Sequence, residues 1–258
     1  MASNDIGDWY RGIPQITKYW FTGSVIVPLI GRIGILSPQF FLLDFASVFY
    51  RFQIWRPITA ALFYPISGPK GFHYLMNLYF LYSYSTRLET ETFAGSPADY
   101  AFMMLFIWLC LVIIGFALNL LILMDPLVLS VLYVWCQLNK DVVVTFWFGT
   151  RFKAMYLPWV LFAFNLIIGS GGMMELFGIL VGHLYFFLMF KYPQDFGGAQ
   201  ILTVPNILYR FFPKTRPGMG GFGQAPASRA RPGDDNNGGG GGGGGWRHNW
   251  GRGQQLGN

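Results

Sequence analysis

Two side chains in the apolar part of the chain could together perform nucleophilic chemistry: the hydroxyl of Ser130 and the imidazole of His183. A buried hydroxyl becomes a usable nucleophile only when a base lies within hydrogen-bonding reach. The two residues belong to different apolar runs, so the fold would have to bring them together. The alternative is that each bonds to a neighbouring helix, as polar groups in membrane spans usually do.

Other polar residues fall in or beside apolar runs, namely Asp125, Asn165 and Glu175. Ionisable groups inside a membrane are functional hypotheses by default. Asp125 precedes a proline between two runs and Glu175 follows a glycine-rich stretch, so we expect both in short luminal turns. Cys110 and Cys136 lack a CxxC spacing, and we therefore predict no disulfide, metal site or cofactor.

The composition indicates a membrane protein. Of 258 residues, 53% are hydrophobic and only 12% are charged, against about 25% charged in soluble domains. Long apolar runs without strand-like alternation predict helices, because every backbone polar group in hydrocarbon needs an internal partner. Six such spans are predicted, at residues 18–36, 72–85, 100–123, 127–148, 155–168 and 173–190.

Two of these runs are short for a membrane span. The fifth has about 14 residues, and the second is interrupted by His73, Asn77 and several Ser and Tyr, whereas a span normally needs about 20 apolar residues. Short spans either thin the surrounding bilayer or pack inside a helical bundle. The sequence leaves both readings open.

Basic residues predict the orientation. If both ends are cytosolic, fourteen Lys and Arg lie on that side and four lie outside; without the seven from Arg210 onward the comparison is seven to four. The predicted division is a cytosolic interfacial segment at 1–17, a membrane domain at 18–192 and a cytosolic tail at 193–258. The first span has no cleavage site behind it and is expected to be retained.

The composition changes after residue 192. Residues 201–212 mix apolar and basic side chains and fit a segment at the membrane surface, although Pro205 would break a continuous helix. Beyond Pro213 the chain is rich in Gly, Pro, Ser and Arg, with an unbroken glycine run at 238–245. Such a segment cannot bury enough surface to fold, so we predict a disordered, flexible tether.

Near the end of this tail, Trp250 and Leu256 provide separate apolar anchors, while Gly251 and Gly253 allow a tight backbone path. This arrangement suits a short peptide that binds a groove on another protein. Basic residues interleaved with Trp also occur in RNA-binding segments. However, RGG repeats are sparse and a membrane surface explains the positive charge equally well, so we predict no nucleic-acid partner.

An aromatic and basic segment, FYRFQIWRPIT, lies at residues 49–59 with Trp55 and Arg56 near its centre. The pair could simply anchor a loop at the membrane interface. A Trp-Arg pair between the first two spans also resembles the rhomboid architecture, but the chain has no GxSG, which would make a rhomboid a protease. With NLYFLYSYSTRLE at 77–89 and VLYVWCQLN at 131–139, the chain resembles the Derlin family of inactive rhomboid relatives.

This resemblance covers nearly the whole chain and is greatest to the first animal Derlin paralogue. It implies an all-α membrane protein, a six-span rhomboid-like helical bundle with a disordered cytosolic C-terminal tail. The protease nucleophile position falls near Met124 and the protease histidine position at Glu175, and neither residue fits the chemistry. Gly178 and Gly182 form a small-xxx-small packing pattern in the last span. The Trp-Arg pair is expected to fix a loop in the outer leaflet, beside which a client enters.

The resemblance further implies a non-enzymatic role in ER-associated degradation. Misfolded proteins would be moved from the endoplasmic reticulum to the cytosol by a multi-pass protein with both termini cytosolic. The implied partners are misfolded clients, ER ubiquitin ligase complexes, membrane lipid and further copies of the chain. The tail resembles the aromatic-then-GxGxxL motif that recruits the valosin-containing AAA ATPase, which would assign ATPase binding to Trp250, Gly251, Gly253 and Leu256.

Two other classes make different predictions. An intramembrane serine protease of rhomboid type requires a serine that reacts with mechanism-based inhibitors. A small-solute transporter is expected to show inverted repeats and broken helices at mid-membrane. We find no internal repeat in the apolar body, and the protease lacks its nucleophile motif.

Overall fold

The computed structural model describes residues 3–145, 149–168, 172–195 and 201–213, and most of them are helical. Two helices continue into π-helical turns, α5 at Leu88–Thr92 and α9 at Phe187–Lys191. In chain order the α-helices are α1 (Ser3–Gly12), α2 (Gln15–Ile33), α3 (Phe45–Tyr50), α4 (Arg56–Leu62), α5 (Gly71–Arg87), α6 (Pro97–Leu118), α7 (Met124–Leu138), α8 (Leu157–Ile168), α9 (Met173–Phe186), α10 (Tyr192–Asp195) and α11 (Asn206–Phe211).

Each of the six predicted apolar runs overlaps one of these helices, in the order α2, α5, α6, α7, α8 and α9. Among the described residues, two helices are long and apolar enough to cross a membrane by length and composition, Pro97–Leu118 and Met173–Asp195. Met124–Leu138 and Ala154–Ile167 are apolar but shorter. The chain is therefore an all-α membrane protein, while the number of spans stays a prediction.

The predicted extent of the fourth run, 127–148, is wrong. α7 ends at Leu138, and the chain then forms an antiparallel hairpin of β1 (Val143–Thr145) and β2 (Arg151–Lys153). The Asn139 side chain donates to the carbonyl of Trp135 at 3.0 Å and so occupies an acceptor at the helix end. The following β-branched residues favour extended backbone. The polar residues Asn139, Lys140 and Asp141 separate this hairpin from the helix before it.

α7 is the central helix of the bundle. Twelve of its fifteen residues are buried, and it packs against α9, α5, α6 and α8. A helix that is apolar on all sides is expected in such a position. Because α7 is surrounded by other helices, its short length need not match the thickness of the bilayer.

On the predicted cytosolic side, α11 packs against the start of α6. The Tyr209 hydroxyl donates to Asp99 Oδ1 at 2.5 Å. This hydrogen bond raises the pKa of Tyr209 to about 12, with burial as a smaller cause. α11 begins directly after Pro205, in agreement with the predicted break. It exposes Ile207 and Phe211, as expected for a segment at the membrane surface.

Candidate functional site

Arg56 anchors the loop between the first two predicted spans. It is only 7% exposed, and its Nη1 donates to the carbonyls of Gln39 and Leu42 at 2.8 Å each. Its Nε donates to Gln53 Oε1 at 2.5 Å. A planar guanidinium suits this arrangement because it presents several donors in fixed directions. The Arg56 side chain, at the start of α4, thus donates hydrogen bonds to three residues of the preceding loop.

Trp55 has the opposite environment. Its side chain is 47% exposed, and its carbonyl accepts the Thr59 N–H at 2.9 Å in the first turn of α4. The adjacent pair therefore divides into a buried anchor and an outward-facing indole. Other large side chains of the loop are also exposed and give it an aromatic and aliphatic surface, which comprises Phe45, Phe49, Tyr50, Phe52 and Ile54.

Asp44 starts the short helix α3 within this loop. Its carboxylate accepts the Ser47 N–H at 2.8 Å, the usual contact of an N-cap residue. Hydrogen bonds from the side chain and then the backbone of Ser47 hold the pKa of Asp44 below its ordinary value of 3.8. The loop is thus a folded element with its own capped helix.

Ser130 and His183 do not form a nucleophile and base pair. The Ser130 hydroxyl lies 2.7 Å from the carbonyls of Pro126 and Gly178, to which it donates its one proton. His183 Nδ1 is hydrogen-bonded to the Tyr133 hydroxyl at 2.8 Å. Each residue therefore connects α7 with α9. This arrangement agrees with the alternative that both side chains bond to a neighbouring helix.

Gly178 and Gly182 lie where α9 approaches the backbone of α7. A Cβ added at Gly178 would lie 2.7 Å from the carbonyl oxygen of Pro126, and one at Gly182 would lie 2.8 Å from that of Ser130. Both distances are shorter than van der Waals contact with backbone atoms that cannot easily move. The absence of a side chain at both positions allows this close approach.

A second polar site lies where the predicted luminal ends of α5, α7, α8 and α9 converge. Its members, called the polar cluster here, are His73, Asn77, Asp125, Asn165 and Glu175. The Asn77 amide donates to Asp125 Oδ1 at 2.5 Å, and the Asn165 amide donates to Glu175 Oε1 at 2.9 Å. His73 Nε2 lies 3.9 Å from the same Glu175 oxygen. The cluster thus connects four helices.

The expectation that Asp125 and Glu175 lie in short luminal turns is wrong. Both stand in the first turn of a helix, α7 and α9 respectively, and Glu175 is only 4% exposed. A carboxylate is favoured at this end of a helix by the free N–H groups and the helix dipole. Pro126, which follows Asp125, and the glycines before Glu175 mark where these helices begin. The partners that bury Glu175 come from other helices.

Sequence reasoning noticed His73 and Asn77 but gave them no role. They are four residues apart, so a helix places them on one face, and His73 Nδ1 contacts both the Asn77 amide and the Tyr64 hydroxyl. This four-residue spacing is the sequence signal that could have predicted a shared polar site. Met124, the other position that the resemblance related to protease chemistry, is fully buried at the start of α7.

The tail residues Trp250, Gly251, Gly253 and Leu256 lie outside the described residues, as does nearly all of the predicted tether. Cys110 and Cys136 carry free thiols, one partly and one fully buried. The site that the described residues define therefore consists of the Arg56-anchored loop, the α7–α9 contact and the polar cluster.

The fold and the site define a multi-helix membrane protein in which the available serine and histidine are not paired for catalysis. The model of the Der1-like family matches residues 13–206, and the chain belongs to that family. It is 58% identical over 255 residues to the proteins named Derlin-1 from Homo sapiens and Bos taurus, covering 99% of each chain. The Drosophila melanogaster Derlin-1 is 44% identical over 253 residues, covering 98% of this chain and 99% of the relative. The predicted Derlin resemblance, including that to the first animal paralogue, is confirmed.

Proposed function

We propose that the chain is a non-proteolytic factor in ER-associated degradation that aids retrotranslocation of misfolded proteins from the endoplasmic reticulum to the cytosol. The observation that carries this proposal is the separate hydrogen bonding of Ser130 and His183 in a chain of the Der1-like family. A hydroxyl whose proton is held by backbone carbonyls has no base to activate it. The similarity to proteins named Derlin-1 supports binding and transport of client chains as the role.

The Arg56-anchored loop supports a place for client access. Its exposed aromatic surface lies on the predicted luminal side and suits the boundary between headgroups and acyl chains. A loop embedded at that depth displaces lipid beside the bundle. In this proposal Trp55 and its neighbours contact the membrane and the client, while Arg56 keeps the loop in shape.

In this proposal the tail recruits the partner that generates the pulling force. Trp250 and Leu256 bind the valosin-containing AAA ATPase, with Gly251 and Gly253 allowing close backbone approach. Both termini are cytosolic, the chain resides in the ER membrane, and it acts with ubiquitin ligase complexes and further copies of itself. The basis is the similarity to proteins named Derlin-1 and the tail sequence.

Client turnover in cells that lack the chain tests the proposal. Re-expression of the wild-type chain should shorten the half-life of a misfolded ER client in a cycloheximide chase, and Ser130→Ala should do the same at matched expression. A membrane-anchored cytosolic client is the control and should be unaffected. Equal half-lives with and without the chain would remove it from this pathway, and rescue that depends on Ser130 would favour the protease alternative.

A further inference from the structure

The polar cluster contains a buried carboxyl oxygen whose hydrogen bonding is incomplete. Glu175 Oε1 accepts from the Asn165 amide, whereas the buried Oε2 has no hydrogen-bond partner. The residue is only 4% exposed. A buried carboxylate oxygen without a donor is costly, so such a position calls for a bound group.

A cavity of about 20 Å³ adjoins this residue. Its wall includes Asp125 as well as Glu175, and apolar side chains such as Val128 close the remainder. A water molecule needs roughly 10–15 Å³ of such volume and two to four polar partners. The cavity meets both requirements and is too small for a larger ligand.

The amide donors in the cluster are already engaged. The Asn77 amide donates to Asp125 and also approaches His73 Nδ1, while the Asn165 amide serves Glu175 Oε1. The two carboxyl groups stand in the first turns of α7 and α9. What the cavity requires is therefore a small molecule that brings hydrogen-bond donors.

We propose that this cavity binds one water molecule, which donates one hydrogen bond to Glu175 Oε2 and one to Asp125. The water joins the start of α7 to the start of α9 at the predicted luminal end of their close contact. The polar cluster is then hydrated within the membrane domain. This inference concerns the bundle alone and does not depend on the proposed role in degradation.

Filling the cavity distinguishes a hydrated site from an empty one by the sign of the effect. Val128→Ile adds one methyl group at the cavity wall of the full chain in lipid nanodiscs. If water is bound, the methyl group displaces it and leaves Glu175 Oε2 without a donor, so the apparent Tm should fall by about 2–8 °C. If the cavity is empty, the methyl group fills it and the Tm should rise.

The same substitution in a Glu175→Met background isolates the role of the carboxylate. Methionine removes the acceptor at similar length, so Val128→Ile should then leave the Tm unchanged or raise it. Val134→Ile is the control, because Val134 is fully buried in the same helix but does not line the cavity. Its effect should be the same in both backgrounds.

A rise in Tm for Val128→Ile in the wild-type background would overturn the proposal. An equal fall in both backgrounds would also overturn it, because that result indicates overpacking. A density map of the wild-type chain provides a test that does not depend on folding of the Met variant. At a resolution that shows ordered waters, a peak should lie within hydrogen-bonding distance of Glu175 Oε2 and Asp125. Well-resolved carboxylates with no peak between them would equally exclude the site.

Discussion

Thr17 gives Glu89 Oε2 two hydrogen bonds, one from its backbone N–H at 2.8 Å and one from its hydroxyl at 2.7 Å. The other carboxylate oxygen accepts the Ile16 N–H at 2.9 Å. α2 has no capping side chain of its own, since Pro14 precedes it. A glutamate 72 residues further along the chain therefore satisfies the first N–H groups of this helix.

The direction of the neighbouring hydrogen bonds follows from this contact. Because the Thr17 hydroxyl donates its proton to Glu89, it must accept from the Ser85 hydroxyl at 2.6 Å. Ser85 must in turn accept from the Tyr100 hydroxyl at 2.5 Å. A chain of hydroxyl groups from α6 through α5 to α2 thus ends on one carboxylate, and it fixes the three helices together.

We expect Glu89→Ala to lower the free energy of unfolding by about 3 kcal/mol, because hydrogen bonds to a charged group contribute roughly 1.5–3 kcal/mol each and do not add fully. Thermal unfolding in nanodiscs measures the change. Glu91→Ala is the matched control, since Glu91 is exposed in the same π-helical turn, and surface changes stay within about 0.5 kcal/mol. Equal stability of the two variants would contradict the capping role.

The sequence predicted the positions of the helices better than their polar contacts. Apolar runs identify α2, α5, α6, α7, α8 and α9 because burial and membrane insertion both select apolar side chains. The fourth predicted run extends past α7 because the β-branched residues Val142 to Thr145 resume it after the polar segment Asn139 to Asp141. A contact such as that of Glu89 with Thr17 joins distant parts of the chain, and no local pattern marks it.

The sequence predicted the candidate site only in part, because its contacts also join distant parts of the chain. The importance of Arg56 could be expected only by resemblance, since its three acceptors, Gln39, Leu42 and Gln53, carry no recognisable spacing. The sequence predicts a turn at Glu175 because a glycine-rich stretch ends three residues before it, whereas residues of α5 and α8 form its environment. Contacts between side chains of different helices depend on the tertiary structure, and no local sequence pattern predicts them.

Arg56→Lys should open the predicted luminal loop nearly as much as Arg56→Ala. A lysine ammonium keeps the charge but lacks the planar guanidinium that reaches both carbonyls and Gln53 at once. These part-buried hydrogen bonds to a charged donor contribute roughly 1.5–3 kcal/mol each. Hydrogen exchange of residues 37–55 should accelerate in both variants, and client half-lives should lengthen.

Trp55→Ala provides the comparison for this loop. It removes an exposed indole, so loop protection should be kept while client extraction is impaired through loss of the outer contact. Recruitment of the ATPase should be normal in all three variants. Unchanged hydrogen exchange in Arg56→Lys would show that the guanidinium contacts do not hold the loop. Normal client half-lives in all three variants would show that Trp55 and Arg56 are not needed for extraction.

Gly182→Ala should destabilise the bundle by about 1–3 kcal/mol, because the new Cβ would lie 2.8 Å from the Ser130 carbonyl oxygen and force α7 and α9 apart. Gly182→Val should cost more. Gly23→Ala is the control within another predicted span, since its Cβ would meet only the Leu62 side chain, at 3.1 Å. Thermal unfolding that ranks Gly23→Ala as the more damaging change would be incompatible with this contact.

Ser130→Ala and His183→Ala should leave client degradation nearly unchanged. The Ser130 hydroxyl donates to backbone carbonyls, so its removal costs stability of about 1 kcal/mol and no catalytic step. A serine-directed fluorophosphonate should not label the wild-type chain at this position. Labelling of Ser130 that disappears in Ser130→Ala would establish a reactive nucleophile and contradict the non-proteolytic assignment.

The tail motif should bind the ATPase as a short peptide. In the proposed function Trp250 and Leu256 supply the apolar contacts. Because a short peptide loses conformational entropy on binding, we expect the isolated peptide to have a Kd of roughly micromolar size. Attachment to the membrane should compensate, because we expect the glycine run at 238–245 to let several tails reach one oligomeric ATPase at high effective concentration.

The double variant Trp250→Ala with Leu256→Ala should therefore abolish pull-down of the ATPase and leave clients bound at the membrane. Gln254→Ala is the control, because it alters a residue between the two anchors without removing either apolar contact. Client crosslinking to the membrane domain should persist in both variants, since the Arg56-anchored loop is untouched. Wild-type recovery of the ATPase by the double variant would mean that recruitment uses another cytosolic surface, for which α11 and the hairpin of β1 and β2 are the next segments to alter.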